Sequence, residues 1–105
     1  MDYTLWENLP AILPKVTEET VVSRKVFNGE GGKVTLFGFA AGEELTEHTA
    51  ALPAILHFLE GEATLTLGQD VSTAVAGTWV YMPAHLPHSI EAHTAVTMLL
   101  YLLTG

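Results

Sequence analysis

The sequence predicts an all-β fold, a compact barrel or sandwich, from three observations. Short β-branched and apolar runs begin at Thr20 and recur about every ten residues, glycine-rich turns separate them, and helical periodicity is almost absent. With 105 residues the chain has room for one hydrophobic core, because chains divide into several cores only at much greater length. The expected organisation is a single domain over residues 1–105, in which 1–19 form an N-terminal extension packing on the barrel or on a dimer partner.

The elements follow in chain order. Thr4-Leu5-Trp6-Glu7 has the Ser/Thr-x-x-Glu pattern of a capping box, so a short helical turn is expected before Pro10 and Pro14 break it. Thr20–Phe27 reads as a strand, 28–32 as a turn and Lys33–Ala40 as the next strand. Ile55–Glu60 and Glu62–Leu67 flank Gly61, and in the second run Ala63, Leu65 and Leu67 alternate with Glu62, Thr64 and Thr66. That alternation gives a strand with one dry and one wet face. Gly68-Gln69-Asp70 is hairpin-turn chemistry, followed by strands at Val71–Val75, Thr78–Met82, Ile90–Ala92 and Ala95–Leu103. Pro83 and Pro87 frame a loop before the last two.

Composition excludes several functions. All four basic residues, Lys15, Arg24, Lys25 and Lys33, precede position 34, and the formal net charge is −8. Nucleic acids and anionic membranes are recognised by Lys and Arg, so neither is an expected partner. The longest apolar run, Ala95 to Leu103, is far shorter than the roughly 20 residues of a membrane-spanning helix. The N-terminus has neither the basic nor the apolar region of a secretory signal, which makes a cytoplasmic location the default. There is no cysteine, so any bound metal must be held by histidine, carboxylate or amide groups. A hydrophobic fraction of 49% is high for a small domain and points to a dense barrel with apolar surface covered in an oligomer.

Five histidines, His48, His57, His85, His88 and His93, all fall between positions 48 and 93. Imidazole is the commonest protein metal ligand. Here the sequence resembles the cupin superfamily. Its first motif reads G-x5-H-x-H-x3,4-E-x6-G; Gly42, His48 and Gly61 occupy its first glycine, first histidine and closing glycine. Its second motif reads G-x5-P-x-G-x2-H-x3-N, and Gly77, Pro83 and His88 fall at the matching spacing. The segments around Gly32–Phe37, Glu47–Ala50, Leu59–Ala63 and Met82–Ala84 also look like small single-domain cupins of the RmlC-like, jelly-roll group.

The resemblance implies a conical antiparallel β-barrel with a small apolar pocket at its mouth, lined in part by Leu56 and Phe58. It implies a divalent metal, iron, manganese, nickel or zinc, with His48 and His88 as ligands. The set is incomplete: Ala50 stands where the second histidine would be and Ala54 where the glutamate would be, while His85 replaces the motif glycine and Ala92 the final asparagine. His57 and His85 are the candidates for a further ligand, although His57, an odd number of residues from position 54, points to the opposite face unless a bulge intervenes. His93 reads as an exposed loop residue, and Glu43, Glu44 and Glu47 as a solvated run beside His48.

Three functions remain open at this point: a metal-dependent enzyme of dioxygenase or isomerase type, a metal-free small-ligand binding module, and a dimeric scaffold. Lacking Lys and Arg within the motif region, the site is expected to take a neutral or weakly polar ligand rather than a dianion, unless Arg24 or Lys25 faces inward. The run Val96-Thr97-Met98-Leu99-Leu100-Tyr101-Leu102-Leu103 is apolar on both faces and is expected to be covered on both sides, with a homodimer supplying one cover.

Overall fold

Nine strands carry the described chain, and their alternation sorts the side chains into a core and an outer surface. A computed structural model describes residues 2–15 and 20–104; Met1 and residues 16–19 of the expected N-terminal extension lie outside the described residues. The strands are β1 (Val21–Gly29), β2 (Gly32–Phe39), β3 (Glu44–His48), β4 (Ala54–Glu60), β5 (Ala63–Leu67), β6 (Asp70–Ala74), β7 (Trp79–Met82), β8 (His88–Ala92) and β9 (Val96–Leu103). They form a five-stranded sheet in the order β1-β2-β9-β4-β7 and a four-stranded sheet in the order β3-β8-β5-β6, and every pairing is antiparallel.

Both sheets turn an apolar face inward. Phe39, Leu56, Phe58, Met82 and Met98 from one meet Ala63, Leu65, Ala74 and Ile90 from the other in a single buried cluster. In β5 the expected alternation holds, with Ala63 and Leu65 buried and Thr64 and Thr66 only half-buried. The central strand β9 lies between β2 and β4 and is apolar on both faces, as expected. Val96 and Met98 enter the core cluster, whereas Leu99 is buried on the other side, in register with Leu36 of β2 and His57 of β4.

The hairpin turns are tighter than the sequence indicates. Strand pairing runs to Gly29 and Gly32, leaving only Glu30 and Gly31 as the loop, and Gly31 takes the positive φ that glycine adopts without steric cost. The N-terminal expectation needs correction: a 3-10 turn forms at Leu9–Ile12, with Pro10 inside its first turn and no side-chain cap at Asn8. Proline lacks the N–H that would be unpaired there, so Pro10 opens the turn instead of breaking one begun at Thr4. Trp6 Nε1 donates to the Val26 carbonyl at 3.0 Å, which ties this segment to β1.

Candidate functional site

His48 ends β3, His88 begins β8, and the two are register partners across the ladder. Their side chains share a face only because β3 carries a bulge. Leu45 pairs with Ile90 and His48 with His88, so three steps along β3 match two along β8. In a regular strand residues 45 and 48 point to opposite faces; one extra residue in the ladder brings His48 back to the side of Leu45. On β8 the buried residues His88, Ile90 and Ala92 define that side as the inner one. The imidazole centroids are 4.1 Å apart, with ring planes inclined by 57°.

Both tautomers are set by the backbone. His48 Nδ1 lies 2.9 Å from the Thr46 carbonyl oxygen and His88 Nδ1 2.9 Å from that of Leu86. A carbonyl only accepts, so each Nδ1 carries the hydrogen and each neutral ring keeps its lone pair on Nε2. His88 is only 6% exposed, and it is the one buried polar side chain among the described residues. No buried side-chain nitrogen or oxygen among those residues lacks a hydrogen-bond partner, so its Nε2 reaches open space. Two imidazoles therefore offer unengaged nitrogen lone pairs at one end of the barrel.

Two loops frame this end, one following β3 and the other preceding β8. They are joined by the His85 N–H donating to the Ala50 carbonyl at 2.8 Å. His85 has φ 69°, the only left-handed backbone among the described residues other than glycine. Gly42 and Gly77 also have positive φ, at 87° and 95°, as does Gly61 at 91°. At Gly61 a Cβ atom would sit 2.1 Å from the Ala95 carbonyl oxygen, so that glycine is required by close backbone approach as well as by conformation.

No protein-family model matches the sequence, and a search of the curated proteins returns no match. Solved structures do match. A cupin superfamily protein from Desulfitobacterium hafniense superposes with a TM-score of 0.85 at 25% identity, covering 97% of this chain and 95% of that one. This is a cupin fold. A conserved protein of unknown function from Streptococcus pyogenes gives a TM-score of 0.85 at 24% identity over 100% of this chain and 91% of its own. Salicylate 1,2-dioxygenase from Pseudoaminobacter salicylatoxidans, in a structure with gentisate, shares the fold at a TM-score of 0.75 and 14% identity, covering 85% of this chain and 26% of that one.

Within the cupin frame the other candidate residues fall away from the imidazole pair. His57 lies on the outer face of β4, in register with Trp79 and Leu99, because Ala54, Leu56 and Phe58 take the inner positions. His85 stands exposed in the loop before β8. Neither joins His48 and His88, for no group of three or more His, Asp or Glu able to hold a metal occurs among the described residues. Leu56 and Phe58 are buried in the core cluster, packed against side chains of the facing sheet. Large side chains from both sheets fill the interior. Arg24 and Lys25 are exposed on β1 and neither faces inward.

The sequence reading missed one constellation. His93 Nδ1 lies 3.2 Å from Glu62 Oε1, and His93 Nε2 lies 2.6 Å from Thr64 Oγ1. The partners are about thirty positions away along the chain, so only the β5–β8 register, pairing Thr64 with Glu91, points to it.

Proposed function

We propose that this cupin domain binds a small, neutral or weakly polar molecule at the barrel mouth, where His48 and His88 hold a divalent metal ion through Nε2. The observation that supports the reading is the approach of the two rings to 4.1 Å with both Nδ1 atoms already engaged by the backbone. The donor chemistry fits a metal that takes two imidazoles and completes its shell with water and ligand. Protein sites usually offer three or more donors, so weak, exchangeable binding is expected. The Nδ1–H bonds to Thr46 and Leu86 stop ring rotation and keep each Nε2 basic, the role that groups behind a metal ligand usually play. A bound iron, manganese, nickel or zinc ion would act as a Lewis acid or redox centre, and the enzymatic form of the proposal is a dioxygenase or isomerase.

The absence of Lys and Arg after position 33 favours a neutral ligand, since no guanidinium or ammonium is at hand to orient a carboxylate or phosphate. The test is elemental analysis of protein purified without chelators, repeated on a His48→Ala, His88→Ala variant. Stoichiometric metal in the first and none in the second supports the proposal. Metal-free protein whose melting temperature is unmoved by iron, manganese, nickel or zinc rejects it. A metal-free binding module is the second reading, favoured by the alanines at positions 50 and 54. Ligand-dependent thermal shifts without metal distinguish it from a scaffold.

A cytoplasmic homodimer completes the proposal. Trp79 and Tyr81 on the edge strand β7 are 57% and 49% exposed, beside half-buried Ile55, His57 and Tyr101 on the same outer face. Exposed aromatics on such a face favour covering by a second copy. Sedimentation of the wild type as a dimer, and of Trp79→Glu as a monomer, is the expected result; a monomeric wild type rejects it.

A further inference from the structure

We propose that Thr64, His93 and Glu62 form an acyl-transfer site on the outer face of the four-stranded sheet, separate from the barrel mouth, taking small uncharged activated esters. The geometry is an unbroken relay of acid, imidazole and hydroxyl. A carboxylate accepts only, so the Glu62 contact at 3.2 Å places the hydrogen on His93 Nδ1. The neutral ring is then left with its lone pair on Nε2, where the Thr64 hydroxyl donates at 2.6 Å. A nucleophile bonded to a base, with the base oriented by a third group, is the arrangement that activates a hydroxyl, and it is recognised by geometry rather than by fold.

The array is rigid. The Glu62 carbonyl accepts from the N–H groups of His93 and Thr94, and the Glu62 N–H donates to Thr94 Oγ1 at 3.0 Å. Gly61 lies against the Ala95 backbone, which closes the β4–β5 turn onto the loop before β9. His93 is 37% exposed and Glu62 52%, so an ester reaches the imidazole from solvent. Thr64 points outward, since its neighbours Ala63 and Leu65 take the buried positions of β5.

In the reaction, Thr64 Oγ1 attacks the acyl carbon while His93 Nε2 takes the hydroxyl proton. The bond from that carbon to the leaving oxygen breaks, and the proton passes from Nε2 to the departing alcohol. Water then attacks the acyl-threonine with His93 again as base, releasing the acid and restoring Thr64. The exchange is redox-neutral and needs no further reactant. Glu91, opposite Thr64 across the ladder, disfavours anionic esters. Thr64 lies in a strand paired on both sides, so its backbone is committed to the sheet and the tetrahedral oxygen faces water. Only esters with a good leaving group are therefore within reach, and general-base assistance contributes at the lower end of its range, about 100-fold.

The probe is p-nitrophenyl acetate, read by nitrophenolate release and by peptide mass mapping of the full-length protein. Wild type is expected to carry an acetyl group on Thr64. Thr64→Val is expected to lose that modification and the site's rate with it, His93→Gln to lose about 100-fold of that rate, and Thr64→Ser to retain both. Glu62 is a positioning residue: Glu62→Ala lowers the rate, and Glu62→Gln, which keeps an acceptor oxygen, restores it. Should His93→Gln fail to fold, Thr64→Val decides alone, because it preserves the shape of the strand. Acetyl found only on lysines or other histidines, or nitrophenolate release by Thr64→Val as fast as by wild type, overturns the proposal.

Discussion

Replacing His85 by glycine should make the protein more stable although it removes a side chain. His85 has φ 69°, in the left-handed region where a Cβ atom crowds the following carbonyl at a cost of about 1–2 kcal/mol. Glycine relieves that strain but loses more backbone freedom on folding, a penalty of roughly 0.5–1 kcal/mol. The imidazole is exposed, so little packing is lost, and the backbone bond from the His85 N–H to Ala50 survives the change. The balance is a gain of about 0.5–1 kcal/mol, or roughly 2–6 °C in Tm for a domain of this size. His85→Ala is the control: it removes the same imidazole and keeps the strain, so it should bring no gain. Urea denaturation of the three proteins, checked for equal m-values, measures the difference. If His85→Gly is no more stable than His85→Ala, the strain argument is wrong and the imidazole contributes a stabilising contact.

Deleting Thr46, within the bulged stretch between Leu45 and His48, leaves two steps on β3 against the two between Ile90 and His88, so the ladder becomes regular and the His48 ring should stay on the inner face opposite His88. Cooperative unfolding and any metal binding should both persist, as isothermal titration will record. Ala54→Glu places a carboxylate on the buried face of β4 at the family's ligand position; without metal it should cost about 3 kcal/mol, and added zinc or manganese should recover much of that loss in a thermal melt. Gly61→Ala and Gly42→Ala separate close approach from conformation. The first meets the Ala95 oxygen at 2.1 Å and should cost well over the roughly 1–2 kcal/mol of left-handed strain alone. The second meets nothing within 4 Å and should cost only that strain, as chemical denaturation will show.

Eight of the nine strands were legible because their residues alternate between core and solvent or sit between glycine turns, as β5 does at Ala63–Leu67. The exception is β3: Glu44–His48 contains a single apolar residue, Leu45, between polar neighbours, and a bulge interrupts its only ladder. Periodicity cannot register a strand whose period is broken in its middle. For the same reason the meeting of His48 with His88 was implied by the family motifs and not by any local pattern, and their register along β3 and β8 was not legible. Strand parity placed His57 on the outer face correctly. It could not disclose that the interior is filled, because whether Leu56 and Phe58 border a hollow or each other depends on the facing sheet. The relay through His93 was illegible for a related reason, as its partners arrive from a different hairpin.

The extra residue in β3 separates two properties that are usually coupled in a small barrel. The inward side chains that maintain the fold lie mostly on strands with regular ladders, whereas the approach of the imidazoles depends on one irregular step near a loop. Straightening that step, with the same residues in a regular ladder, would turn His48 outward and abolish the histidine pair while the hydrophobic interior stays intact.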